Sequence, residues 1–195
     1  LRQNSQVFSQ DYFHKMVEVY QPEEDSYLLS RVLKKEKVDL NTKILDMGAG
    51  TGIQAQTLID RGVLLENVTL VDINTEAIKL LKKKFKKSKV IKSNLFKKVK
   101  GKFDLIIFNP PYLPEDPREP ADSRIATTGG KTGSEIINKF LKEAKKHLTK
   151  EGKIFLLTSS LTKGINWEGY KKKLLSRKKV FYETLKVFSL LALND

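Results

Sequence analysis

Asn109-Pro110-Pro111-Tyr112 is the stretch of this sequence best equipped to do chemistry. It ends the apolar run Phe103–Phe108, which reads as a buried strand. Neither proline can donate a backbone hydrogen bond, so the strand must stop there. Pro110 also pushes Asn109 away from helical geometry into an extended conformation. The product is a stiff corner that carries one amide side chain and one aromatic ring. In open α/β sheets ligands sit at this carboxyl edge. An amide oxygen, a rigid main-chain carbonyl and a ring can grip a planar NH2 group and aim its nitrogen lone pair at an electrophile. Consecutive prolines also serve as plain loop punctuation, so the corner gains its meaning from what lies upstream.

Upstream, Ile44–Met47 reads as a short buried strand that runs into Gly48-Ala49-Gly50-Thr51-Gly52 and then a helix. A dinucleotide fingerprint needs Gly-x-Gly-x-x-Gly. Here the third glycine comes one residue early, and Asp46 stands just before the first. A carboxylate there repels a pyrophosphate and suits a cationic amino-acid ligand. With Gly48 and Gly50 bringing backbone close to the ligand, the arrangement resembles the S-adenosylmethionine site of class I methyltransferases. Asp72 ends the next strand, where its carboxylate can accept from both ribose hydroxyls, with Ile73 directly after it. Asn94 and Leu95 follow the third strand, where an amide oxygen can accept from the adenine amine, without charge assistance.

These pieces need a scaffold. Strands are expected at 43–47, 68–72, 89–92, 103–108, 154–158 and 181–193, with helices at 27–37, 53–61, 75–87, 134–148 and 167–175. Asp25 or Ser26 is expected to cap the first helix. Strands that alternate with helices imply an α/β, doubly wound, mostly parallel sheet with helices on both faces. The segment 113–130 is expected to be a long functional loop.

The 195 residues suit one domain, and the formal charge is +14, carried mainly by lysine. Solvated helix faces account for much of that, although the potential would also attract RNA, ribosomes or an acidic protein. There are no cysteines, and His14 and His147 are the only imidazoles, so neither disulfides nor a metal site is expected. No stretch approaches a membrane span and no signal pattern opens the chain, so a cytoplasmic protein is expected.

From Val19 onward the chain resembles the HemK-type release-factor glutamine methyltransferases, in particular their shorter archaeal and eukaryotic branch. The resemblance rests on Tyr20-Gln21-Pro22-Glu23-Glu24-Asp25-Ser26, the glycine turn, Asp72, Asn109-Pro110-Pro111-Tyr112 and the later Gly129-Gly130-Lys131-Thr132-Gly133. It implies one Rossmann-like domain over 1–195: an entry segment 1–19, a cofactor-covering motif and helix 20–37, and a core 43–195. It implies that Tyr20, Pro22 and Ser26 help enclose S-adenosylmethionine, with Asp46, Gly48, Gly50, Asp72, Ile73, Asn94, Leu95 and Asn109 lining its site. It further implies that Asn109, Pro110, Pro111 and Tyr112 act on the glutamine of a Gly-Gly-Gln loop in a class I release factor. Asn94 departs from the usual aspartate, and 159–180 is short for a last helix plus a full strand. The branch also implies a small zinc-binding activator subunit, placed on an edge strand near Val90 and Ile91. The corner tetrapeptide is shared with enzymes that methylate exocyclic amines of RNA or DNA, chiefly adenine N6. In that reading Tyr112 would stack on a flipped base. The loop acids Glu115, Asp116, Glu119 and Asp122 outnumber Arg118 and Arg124 and argue against a phosphate partner. A degenerate, non-catalytic scaffold is the other alternative.

Overall fold

The computed structural model describes residues 19–118 and 127–193. Segment 1–18, with most of the expected entry segment and His14, lies outside the described residues, as do Glu119, Asp122 and Arg124 of the loop.

The elements run α1 Glu24–Leu33, β1 Ile44–Met47, α2 Ile53–Ile59, β2 Val68–Asp72, α3 Thr75–Lys84, β3 Lys89–Lys92 and β4 Phe103–Phe108. They continue with β5 Leu113–Pro114, β6 Thr128–Gly130, α4 Glu135–Ala144, β7 Leu148–Ser159, β8 Tyr170–Val180 and β9 Glu183–Ala192. Seven strands form one sheet in the order β3-β2-β1-β4-β7-β9-β8. The first five run parallel. β9 is antiparallel to both its neighbours.

Two apolar layers explain why the central strands carry so few polar residues. Ile44, Val68, Leu70, Leu105 and Ile107 face one side, against Leu28, Leu29 and Leu33 of α1 and Ala55 and Leu58 of α2. Leu45, Met47, Val71, Ile106 and Phe108 face the other, against Ile137, Phe140 and Leu141 of α4. A strand covered on both faces reads as a continuous hydrophobic run. Polar residues on such strands, Asp46 and Asp72 above all, are therefore exceptions that need partners.

Four expected elements differ. The first helix starts at Glu24 and ends at Leu33 rather than running 27–37, and neither Asp25 nor Ser26 is its cap; Glu23 is, without a side-chain bond. Glu24 and Asp25 instead occupy its first turn, where negative charge meets the positive end of the helix dipole. The helix expected at 167–175 is absent; Tyr170–Val180 is a strand paired along β9. Trp167, Tyr170 and Leu174 have helical spacing, but backbone pairing with β9 overrides it. Finally, the last strand of the parallel set is longer than expected, with β7 beginning at Leu148. The expected helix to 148 gives way after Ala144 to a short 3-10 turn, Lys145–His147.

Candidate active site

The carboxyl ends of β1, β2 and β4 converge on one edge of the sheet, which brings the two halves of the site together. On the first half, Gly48, Gly50 and Gly52 all adopt positive φ, at 61°, 53° and 75°. A Cβ on Gly52 would stand 2.4 Å from the Phe85 ring, so this turn has neither the conformation nor the room for a side chain there. Asp72 is only 8% exposed. Its Oδ2 accepts from the Gly50 N–H and its Oδ1 from the Asn74 N–H, both at 2.8 Å. Asp46 is buried deeper, and its Oδ2 accepts from the Ala55 N–H at 3.0 Å, tying β1 to the first turn of α2. Burial pushes the Asp46 carboxyl up to about 8, and the neighbouring Asp72 charge adds to the rise. Burial also raises Asp72, against the opposing pull of the Asn74, Gly50 and Ile73 amides.

Ile73 lies half in solvent beside Asp72. Asn94 is exposed, and Leu95 adopts φ of 48°, a left-handed conformation that a branched side chain resists. The Leu95 carbonyl accepts from Ser93 Oγ at 2.9 Å, which holds that backbone in place. Strain of this kind, kept by surrounding bonds, is characteristic of ligand clamps.

The second half is the corner after β4. Asn109 Nδ2 donates to Asp25 Oδ2 at 3.0 Å and to Ser26 Oγ at 3.3 Å. Tyr20 donates its hydroxyl to the same carboxylate at 2.9 and 3.0 Å. Tyr112 reaches it at 3.5 Å, the long limit of a hydrogen bond. Burial, followed by the Asp25 charge, raises the pKa of both tyrosines, so both stay protonated as donors. Asn109 Oδ1, by contrast, is buried and has no hydrogen-bond partner among the described residues. A carboxylate only accepts, so Asp25 dictates that the NH2 end of Asn109 faces it and the oxygen faces away.

The corner is braced from behind. The Tyr112 carbonyl accepts from Thr162 Oγ1 at 2.7 Å. Gly129 and Gly133 lie flat against it: a Cβ on Gly133 would come 2.3 Å from the Tyr112 carbonyl oxygen, and one on Gly129 2.7 Å from that of Pro111. The glycine-rich segment noted in the sequence is thus the backing plate of the proline corner, joined to it through the β5–β6 pair.

The structure brings Tyr20, Ser26, Asn109 and Tyr112 into one hydrogen-bonded group, and Asp72 and Gly50 into another. Pro22 is half-buried just before α1, Pro110 is buried and Pro111 half-buried. The residue that sequence reasoning missed is Asp25, which it treated only as a cap. Its signal was available: Asp25, Leu28, Leu29 and Leu33 fall on one face at helical spacing, so an acid stood on the buried stripe.

The sequence model described as methyltransferase small domain matches residues 4–167. The chain belongs to this methyltransferase family. A putative protein N5-glutamine methyltransferase of Methanocaldococcus jannaschii is 39% identical over 184 residues, 88% of this chain and 91% of that protein. The methyltransferase HEMK2 of Mus musculus is 31% identical over 153 residues, 72% of each chain. Among solved structures, the E. cuniculi Mtq2-Trm112 complex, described as responsible for methylating the eRF1 translation termination factor, superposes with a TM-score of 0.69. That match covers 89% of this chain and 98% of that one at 24% identity, and shows a shared class I methyltransferase fold.

The methyl donor of this methyltransferase is S-adenosylmethionine, and the residues fit it. Asp46 and Asp72 are buried acids with raised pKa values and no ion-pair partner among the described residues. A ligand that carries an ammonium and a sulfonium supplies the missing positive charge, whereas a pyrophosphate would add repulsion.

Proposed function

We propose that this methyltransferase methylates the side-chain amide nitrogen of a glutamine, in the Gly-Gly-Gln loop of a class I translation release factor. The observation that carries the reading is the orphaned Oδ1 of Asn109 beside an Nδ2 already committed to Asp25 and Ser26. A buried acceptor without a partner costs roughly 1–3 kcal/mol, and an incoming NH2 relieves that cost. The names of the similar proteins support glutamine as the bearer of that NH2.

When bound, S-adenosylmethionine supplies an electrophilic methyl group on a cationic sulfur. The task of the protein is to make a poor nucleophile competent, because the amide lone pair is delocalised into its carbonyl. Asn109 Oδ1 accepts one N–H and the Pro110 carbonyl accepts the other. Both bonds hold the nitrogen where its lone pair points along the crevice toward the donor half. Tyr112 covers the flat amide and excludes water. No strong base is required at the corner, since the nitrogen becomes acidic only after it gains the methyl group. The gain is positioning and electrostatic preorganisation.

Replacing Asn109 with Ala should lower kcat by about a thousandfold while leaving donor affinity within about twofold. A variant that keeps most of its rate would sink the mechanism. Incubating the enzyme with labelled donor, a release factor and bulk RNA reads the substrate class from where the label lands. Label on RNA would favour the exocyclic-amine alternative, which the net charge of +14 supports.

The same proposal includes a small zinc-binding activator subunit on β3. Among the described residues this strand pairs with β2 alone, and it exposes Lys89 and Lys92 around the half-buried Val90 and Ile91. Adding a strand to such an edge is a common docking mode. The solved Mtq2-Trm112 complex of E. cuniculi supports a partner subunit. Co-expression followed by size exclusion tests it, and separate elution would count against it.

A further inference from the structure

The turn between β8 and β9 breaks two rules at once. Val180 pairs with Glu183, so the connection is two residues long, Phe181-Tyr182. Such turns call for Asn, Asp or Gly because their backbone needs positive φ. Phe181 adopts φ of 46°. Both rings also stand in water: Phe181 is 89% exposed and Tyr182 97%. Two large aromatic side chains therefore occupy a place where they disfavour the turn and bury almost nothing. Local choices that oppose the fold are expected where function demands them.

The location of the tip gives the conflict a purpose. Ser159, at the carboxyl end of β7, pairs with Leu185, so residues 181–184 project past the same edge that carries Asn109. β9 lies two strands from β4 in the sheet order, about 10 Å away. Glu183 is fixed by a hydrogen bond from Ser159 Oγ, and its charge is one of the influences, after burial and Asp25, that raise the Tyr112 pKa. Lys178 pairs with Glu24 of α1, the helix that bears Asp25 and Ser26. The hairpin is thus tied to the acceptor corner on two sides. Its charge is one-sided: residues 170–193 contain seven Lys or Arg and a single acid, Glu183. Arg177 and Lys179, just before the tip, are exposed.

The geometry points to the Phe181-Tyr182 tip as the docking element for the methyl-acceptor protein, engaging an acidic face of that protein through an apolar socket that takes the two rings. The inference rests on the protein-substrate reading above. A rigid tip with two aromatic anchors and a basic rim has the make-up of an interface hot spot: rings that desolvate at the centre and charges that steer from the edge. A protein is favoured over a nucleic acid because the acids Glu115 and Glu183 border the same corner and repel phosphate. The corner itself grips only one amide, so a second contact is needed to choose which glutamine enters.

The test is the double substitution Phe181→Gly with Tyr182→Asn. Of the two turn residues only Phe181 has positive φ, and glycine at the first position suits a two-residue turn of that shape, so the variant should melt at the same temperature as the parent or higher. Its KM for an intact class I release factor should rise about tenfold. Its kcat and donor Kd should be unchanged, and so should kcat/KM for a short Gly-Gly-Gln peptide that reaches only the corner. Lys179→Gln should make a smaller change in KM that disappears at high salt. An unchanged KM for the release factor would overturn the inference. So would a lower melting temperature, which would mean that the rings serve their own fold, or a loss of RNA binding with KM intact, which would make the partner a nucleic acid. If the parent enzyme fails to methylate any release factor, the substrate reading fails first. If it succeeds and the double variant matches it, only the hairpin inference falls.

Discussion

Asp72 and Asp25 are both buried carboxylates on one crevice, yet they are held in different ways. Asp72 accepts from the backbone amides of Gly50 and Asn74. Asp25 accepts one backbone bond, from its neighbour Ser26, and otherwise the side chains of Tyr20, Asn109 and Tyr112. Backbone donors are present in every sequence and depend only on the shape of the turn. Side-chain donors must each be specified, and here they come from positions up to 87 residues away. The half we assign to the methyl donor is accordingly a local device built from strand ends and one glycine turn. The half we assign to the acceptor is a long-range assembly that exists only once α1 has packed beside β4.

Substitutions can break this contrast. Among substitutions of the buried carboxylates, the largest effect is expected at Asp25→Asn, because an amide can donate as well as accept. Asn109 is then free to turn its amide over, leaving an N–H where an acceptor is required. We expect kcat to fall about a hundredfold with donor Kd unchanged, as misplacement of a reacting group by about 1 Å commonly does. Steady-state kinetics beside calorimetry measure this. A matching loss of donor affinity would erase the distinction between the two halves. Next comes Asp72→Ala, which should weaken donor binding about tenfold or more through lost charge-assisted bonds, with less effect on kcat at saturating donor. An unchanged dissociation constant in calorimetry would remove Asp72 from the donor site.

The smallest effect is thermal and sharpens the comparison on the donor side. The Asp46 carboxyl is pushed up to about 8 in the fold, above the ordinary carboxylate range. The fold therefore favours its neutral form. That contribution to stability is complete below the unfolded pKa, shrinks as pH rises above it, and is lost as pH passes through about 8. Asp46→Asn keeps an acceptor for the Ala55 N–H and does not ionise. Melting temperatures between about pH 5 and pH 9 should fall more steeply for the parent than for the variant. Parallel curves would show that Asp46 is already charged in the fold.

Much of this was readable in advance, and the reasons for success and failure are physical. β1, β2 and β4 were legible because strands covered on both faces must be apolar throughout, and their polar ends stand out against that run. The corner was legible because proline leaves its mark in the sequence itself. β8 was not: Leu174 and Leu175 are both largely exposed, so neither the helical nor the strand period is expressed on that edge. Its register comes from β9, which the sequence of β8 does not encode. The tie between Asp25 and Asn109 was hidden by their separation of 84 residues. The backing role of Gly129 and Gly133 was hidden because a missing side chain names no partner.

β9 runs between β7 and β8 while following both in the chain. During synthesis β8 leaves the ribosome with no neighbour in its own sheet, a lysine-bearing ribbon that can only wait. Leu185, Val187 and Leu190, all essentially inaccessible in the finished molecule, must arrive before it can lock. The final step in assembling this sheet thus falls to the strand that follows all its neighbours in the chain. Damage to β9 would leave two unsatisfied strand edges at once, a template for self-association rather than mere local fraying.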